Sequence, residues 1–173
     1  MTPLCELALK HGTDKYKKHH YTKTYYDLLK GRYVRRLLEV GVAGGHSLRM
    51  WEEFFPQAEI FGFDRYERCM INEGRIQTFL GDQTNIDQLK NAGAQACGRD
   101  SLDVIVDDGA HTPELQISTA LTLLPYLAPD GIYIIEDVYA KPNEIITKLP
   151  SKYTYSYFRT GPLVDDLLIV IKP

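Results

Sequence analysis

The chain has 173 residues, of which 44% are hydrophobic and 25% charged, and its net charge is −3. A chain of this length buries roughly two-thirds of its unfolded surface around one core, so a single domain is expected over residues 1–173 without disulfides or a structural metal. The balance excludes disordered and fibrous classes. No apolar run approaches the roughly 20 residues of a membrane span, so no membrane association is expected.

The opening "MTPLCELALKHG" is too polar for a secretory signal. Cys5, Cys69 and Cys97 are odd in number and lack CxxC spacing, which reads as free thiols in a cytoplasmic protein. Charge is uneven: from Lys10 to Arg36, nine Lys and Arg stand against two Asp. The stretch "KYKKHHYTKTYY" interleaves cations and rings, as a nucleic-acid strap does. A solvated cationic face is the simpler reading, and a nucleic-acid partner is not expected.

Short helices are expected over residues 3–10 and 22–30, the second capped by Thr22 and stopped before Gly31. Together they form an N-terminal helical strap, residues 1–32, ahead of a core at 33–173. From there strand and helix alternate: strands over 34–40, 59–64, 76–80, 102–108 and 131–137, with helices over 47–55, 67–73, 86–96 and 113–127. That rhythm marks an α/β fold with a Rossmann-like parallel sheet. The unbroken apolar runs "VRRLLEV", "LDVIV" and "GIYIIE" suit strands buried on both faces. The ending differs, because "KYTYSYFR" and "DDLLIVIKP" are separated only by a turn. A mostly parallel sheet of seven strands closing in an antiparallel hairpin follows.

The first strand breaks into "EVGVAGGHS". A dinucleotide fingerprint needs G-x-G-x-x-G, and counting from Gly41 this chain has Ala43 and His46 at the second and third glycine positions. Glu39 would also repel a pyrophosphate. A ligand with a cationic amine and no pyrophosphate fits better. Here the chain resembles the class I S-adenosylmethionine-dependent methyltransferases, whose first motif is an acid followed by a glycine turn. The resemblance implies that Glu39, Gly41 and Gly45 line the cofactor. It further implies that Asp64, in "FGFDR", accepts the ribose hydroxyls, that Arg65 lies along the adenine, and that Asp82, in "GDQTN", receives the adenine amine.

"VDDGAH" and "IIEDV" end adjacent parallel strands, so Asp107, Asp108, His111, Glu136 and Asp137 should converge at the rim of the glycine turn. Four carboxylates crowded together call for a cation, and Mg²⁺, which accepts carboxylates and keeps exchangeable waters, is the first choice. With "KHGTDKYKKHHYTKTYYDLL" upstream, these motifs resemble the metal-dependent sugar O-methyltransferases of natural-product tailoring, the mycinamicin-type and cephalosporin-hydroxylase-like group. That resemblance implies Asp108, Glu136 and Asp137 as Mg²⁺ ligands and His111 as general base. It also places Asp107 nearer the cofactor and folds Tyr21 over the cofactor side.

The expected function is Mg²⁺-dependent methyl transfer to a hydroxyl of a sugar or glycosylated small molecule. The alternatives are a metal-independent methyltransferase of another acceptor such as RNA, and a non-catalytic cofactor-binding protein of the same fold. Because the last strand is followed by no lid, the acceptor mouth is expected to be covered by the N-terminal segment or by a second subunit of a homo-oligomer. His11, His19, His20 and His46 are expected to be surface or structural residues.

Overall fold

Alternation along the first strand sets the architecture. Leu37 belongs to one buried apolar cluster and Leu38 to another, so the sheet carries a core on each face. The computed structural model describes residues 1–139 and 141–173. Eight strands form one sheet: β1 (Arg36–Val40), β2 (Glu59–Asp64), β3 (Asn72–Glu73), β4 (Ile76–Leu80), β5 (Leu102–Asp107), β6 (Leu127–Ile135), β7 (Thr154–Arg159) and β8 (Leu167–Lys172). Their order is β3-β4-β2-β1-β5-β6-β8-β7. The five strands from β4 to β6 run parallel, whereas β8 is antiparallel to both β6 and β7.

The helices are α1 (Pro3–His11), α2 (Asp14–Lys17), α3 (Tyr21–Leu29), α4 (His46–Phe54), α5 (Ile86–Cys97), α6 (Pro113–Leu123) and α7 (Pro142–Ile146). One face buries Leu4, Tyr25 and Trp51, from α1, α3 and α4; the other buries Leu89, Ala120 and Ile145, from α5, α6 and α7. The N-terminal helices are therefore part of the core, not an appendage to it. Chain order reverses between β1 and β5, and in such sheets ligands bind at the carboxyl ends of the strands flanking that point. Among the described residues, no helix is long and apolar enough to cross a membrane.

Several expected elements differ. The helix over 67–73 is a 3-10 turn at Glu67–Cys69 followed by β3. Gly74, at φ +53°, closes a tight hairpin that pairs Glu73 with Ile76. Thr22 does not cap α3; the helix begins a residue earlier, with His20 at φ 58° in the cap position. The helix over 113–127 ends at Leu123 because Pro125 cannot continue it, and β6 starts four residues early at Leu127. The short α2 and α7 were not expected from periodicity.

Gly62 in β2 shows how tightly the glycine turn is backed. A Cβ there would stand 2.7 Å from Val42 Cγ2 and 2.8 Å from Leu48 Cδ1. Substitution Gly62→Ala should therefore overpack the layer beneath the turn and cost about 1–3 kcal/mol. Urea denaturation measures this, and an unchanged midpoint would show that the layer has slack.

Candidate active site

The carboxyl ends of β1, β2, β4 and β5 open onto a cleft of about 970 Å³, which Gly12, Thr13, Asp14 and Lys18 of the N-terminal segment also line. Gly41 stands at its floor with φ +94°, and a Cβ there would collide with the carbonyl oxygen of Asp108. Only glycine lets the cofactor-side turn pack directly on the acidic loop. Asp64 fixes the same turn, because its Oδ2 accepts the Val42 and Ala43 amides at 2.9 and 3.1 Å. Its Oδ1 accepts from the Tyr66 amide at 3.0 Å.

Gly41, Asp64, Arg65 and Asp82 all line the cleft. Hydrogen bonds from the Thr84 amide and hydroxyl hold the Asp82 carboxyl below its ordinary range. Gly45 caps α4 in the left-handed region, packed towards Ile71 and not on the cleft wall. Glu39 is fully buried beneath the turn, accepting from Ser47 Oγ at 2.6 Å and from Trp51 Nε1. Burial pushes its carboxyl up. It supports the turn from below and does not line the cofactor side. Asp107 is also turned inward, taking a 3.2 Å bond from Gln83 Nε2. Burial raises its carboxyl to about 8, against the hydrogen bonds that Gln83 and Tyr133 give it.

The acidic rim is more selective than the sequence suggested. Asp108, His111 and Asp137 each offer a ligand atom within 4.8 Å of the others. His111 Nε2 lies 3.5 Å from Asp137 Oδ2, while its Nδ1 is buried without a partner among the described residues. Asp137 is a non-glycine residue at φ 50°, a conformation that persists only when its surroundings impose it. Tyr21 does so: its one hydroxyl proton is shared between Asp137 Oδ1, at 2.5 Å, and the Asp165 carbonyl oxygen, at 2.9 Å, while its oxygen accepts from the Asp137 amide at 3.2 Å. Tyr21 thus grips the acidic rim and does not fold over the cofactor side. Its ring stacks on His19 with centroids 5.2 Å apart.

Glu136 stands behind this trio, outside the cleft wall. Both its oxygens accept from Lys15 Nζ, at 2.7 and 2.8 Å, and Oε1 also accepts from the Tyr25 hydroxyl. Lys15 Nζ also donates to Asp108 Oδ2 at 2.7 Å and lies 3.6 Å from Glu39 Oε1. Sequence reasoning missed Lys15, which nothing in "DKYKK" distinguishes from Lys17 and Lys18. The signal available was the requirement itself, since converging buried carboxylates need a cation.

Two other histidines also have defined places. His46 lines the cleft and donates from Nδ1 to the His11 carbonyl at 2.8 Å. His19 is buried, with Nδ1 3.2 Å from Asp166 Oδ1. His19, Asp165 and Asp166 also lie within ligand distance of one another. Their oxygens already accept from the Tyr139 hydroxyl and the Leu163 amide, so the group works as a latch between the terminal hairpin and the N-terminal segment.

A mostly parallel sheet with a glycine turn at its switch point, carboxylates at or just past the ends of β2 and β4 and an antiparallel terminal hairpin defines the class I methyltransferase frame. Residues 38–138 match a methyltransferase-domain family, and the chain belongs to that family. It is 35% identical over 145 residues to a rhamnosyl-tetracenomycin-C 2′-O-methyltransferase of Streptomyces olivaceus, covering 78% of this chain and 37% of the relative. It is 34% identical over 146 residues to the mycinamicin VI 2″-O-methyltransferase of Micromonospora griseorubida, covering 79% and 36%. The chain thus spans little more than a third of the length of these curated relatives. Among solved structures, MycE methyltransferase of the mycinamycin pathway, in complex with Mg, SAH and mycinamycin VI, superposes with a TM-score of 0.80 at 25% identity, over 99% of this chain and 54% of that one.

If Tyr21 fixes the rim, Tyr21→Phe leaves Asp137 Oδ1 and the Asp165 carbonyl without their donor. The expected cost is about 1–3 kcal/mol in chemical denaturation; an unchanged stability would show that both acceptors find other partners.

Proposed function

We propose that this protein transfers the methyl group of S-adenosylmethionine to a hydroxyl of a sugar or glycosylated small molecule, with Mg²⁺ held at the acidic rim. The observation that carries the reading is the convergence of Asp108, His111 and Asp137 on the wall of the same cleft that the glycine turn, Asp64 and Asp82 line. The named activities of the two relatives and the Mg, SAH and mycinamycin VI of the MycE complex support it.

The residues fit both groups. Asp64 and Asp82, both on the cleft wall, would take the ribose hydroxyls and the adenine amine, and Gly41 lets the glycine turn pack on the acidic loop. At the rim, Asp108 and Asp137 supply the hard oxygens that Mg²⁺ prefers, which leaves the imidazole of His111 for proton chemistry. Glu136 can join them only by giving up Lys15. A bound Mg²⁺ supplies acidity to a coordinated hydroxyl whose own pKa lies far above neutrality.

His111 Nε2 takes the hydroxyl proton, and Asp137 Oδ2 stabilises the imidazolium that results. Bound S-adenosylmethionine would supply an electrophilic methyl group, passed to the acceptor oxygen as the carbon–sulfur bond breaks with its electron pair on sulfur. A sulfonium needs no activation as a leaving group, so orientation and proton removal are the protein's contributions. The free cysteines Cys5, Cys69 and Cys97 suit the reducing cytoplasm as its proposed location.

His111→Ala should bind S-adenosylhomocysteine as wild type does in titration calorimetry while losing methyl transfer by about 10²-fold or more. Retained transfer would remove His111 as the base. Likewise, EDTA should abolish turnover and Mg²⁺ restore it. Turnover that survives EDTA would favour metal-independent chemistry on another acceptor, RNA included.

A further inference from the structure

Lys15 is 1% exposed, and its ammonium reaches Asp108, Glu136 and Glu39 at once. A short helix of four residues, α2, delivers it from the N-terminal segment into the space behind the rim. The cofactor turn and the acidic loop are in contact through Gly41 and Asp108, so this cation lies under both. Three carboxylates, at the ends of the three adjacent strands β1, β5 and β6, thereby share one fixed positive charge. Glu136 takes both oxygens to it, and Asp108 gives it one oxygen while remaining on the cleft wall.

We propose that Lys15 is a positioning residue of the rim: its ammonium is the resident counter-cation of Asp108 and Glu136, keeps the cluster in shape without a metal, and competes with a divalent cation for those two carboxylates. The inference rests on the metal-binding reading above. Its physical basis is that adjacent buried anions persist only with a cation among them, and either an ammonium or a divalent ion can serve. Removing the ammonium while keeping the volume of the side chain should leave the carboxylates dependent on the ion. A lysine that only braces the fold would, when lost, weaken the protein equally with and without Mg²⁺.

The test is thermal unfolding and Mg²⁺ titration calorimetry on wild type, Lys15→Met, Glu136→Gln and the double variant, each in EDTA and in Mg²⁺. Neither measurement requires turnover. The expected result is a Mg²⁺-dependent rise in Tm larger in Lys15→Met than in wild type by roughly 5 °C or more, with Mg²⁺ bound roughly tenfold more tightly. Adding Glu136→Gln should shrink that excess, because one of the stranded carboxylates is then neutral. Should Lys15→Met not fold, the comparison falls on the double variant against Glu136→Gln, where the loss of the ammonium from Asp108 should still tighten Mg²⁺ binding.

A Tm loss that is the same in EDTA and in Mg²⁺, with unchanged or weaker Mg²⁺ affinity, overturns the inference while leaving the metal reading intact. No Mg²⁺ response in wild type or any variant removes the metal reading, and this inference with it.

Discussion

The Lys15 ammonium, held among Glu39, Asp108 and Glu136, is the interaction on which the site depends. Without it the ends of three adjacent strands, β1, β5 and β6, would present uncompensated negative charge to the core. Taking a charge out of water is expensive, and breaking such a pair by removing one partner costs far more than the pair itself contributes. The N-terminal segment is therefore bound into the fold by electrostatics as well as by packing. Its Leu4, Tyr21 and Tyr25 fill the core on one face while Lys15 neutralises the rim.

That arrangement explains the division of the carboxylates. Glu39, Asp107 and Glu136 are buried, and each has been given partners that hold it in place. Asp64, Asp82, Asp108 and Asp137 face the cleft. The first three shape the turn and the loop; the four on the cleft wall, of which Asp64 also holds the turn and Asp137 is itself largely buried, are those proposed to meet ligands. Asp137 joins the two tasks, because its left-handed backbone is imposed by Tyr21 while its second oxygen faces His111. The terminal hairpin is fastened into the same construction through the latch of His19, Asp165 and Asp166.

Much of the fold was legible in the chain, because apolar runs buried on both faces and the pairing of a terminal strand without a crossover leave few alternatives. The glycine turn and the acids at the strand ends were legible for the same reason, since strand ends fix the rim. What the sequence did not show was side-chain direction. Glu39 and Asp107 lie on strands whose period places them inward, yet their position beside a ligand turn suggested otherwise. Tyr21, Lys15 and His19 come from a segment whose polar, aromatic-rich composition reads as a surface strap. Only tertiary packing turned those side chains towards Asp137, Glu136 and Asp166. The short elements were equally hidden: α2 and α7 are below the length at which periodicity speaks, and β3 exists only through its pairing with β4.

The central claim is that the open half of the acidic rim, and not the histidine latch, is where a divalent cation binds beside an adenosyl cofactor. Crystals grown with S-adenosylhomocysteine and Mn²⁺ as an anomalous stand-in for Mg²⁺ test it most directly. The account predicts one anomalous peak in contact with carboxylate oxygens of Asp108 and Asp137, with the ribose hydroxyls on Asp64. An empty rim, or a peak among His19, Asp165 and Asp166 in its place, would contradict it.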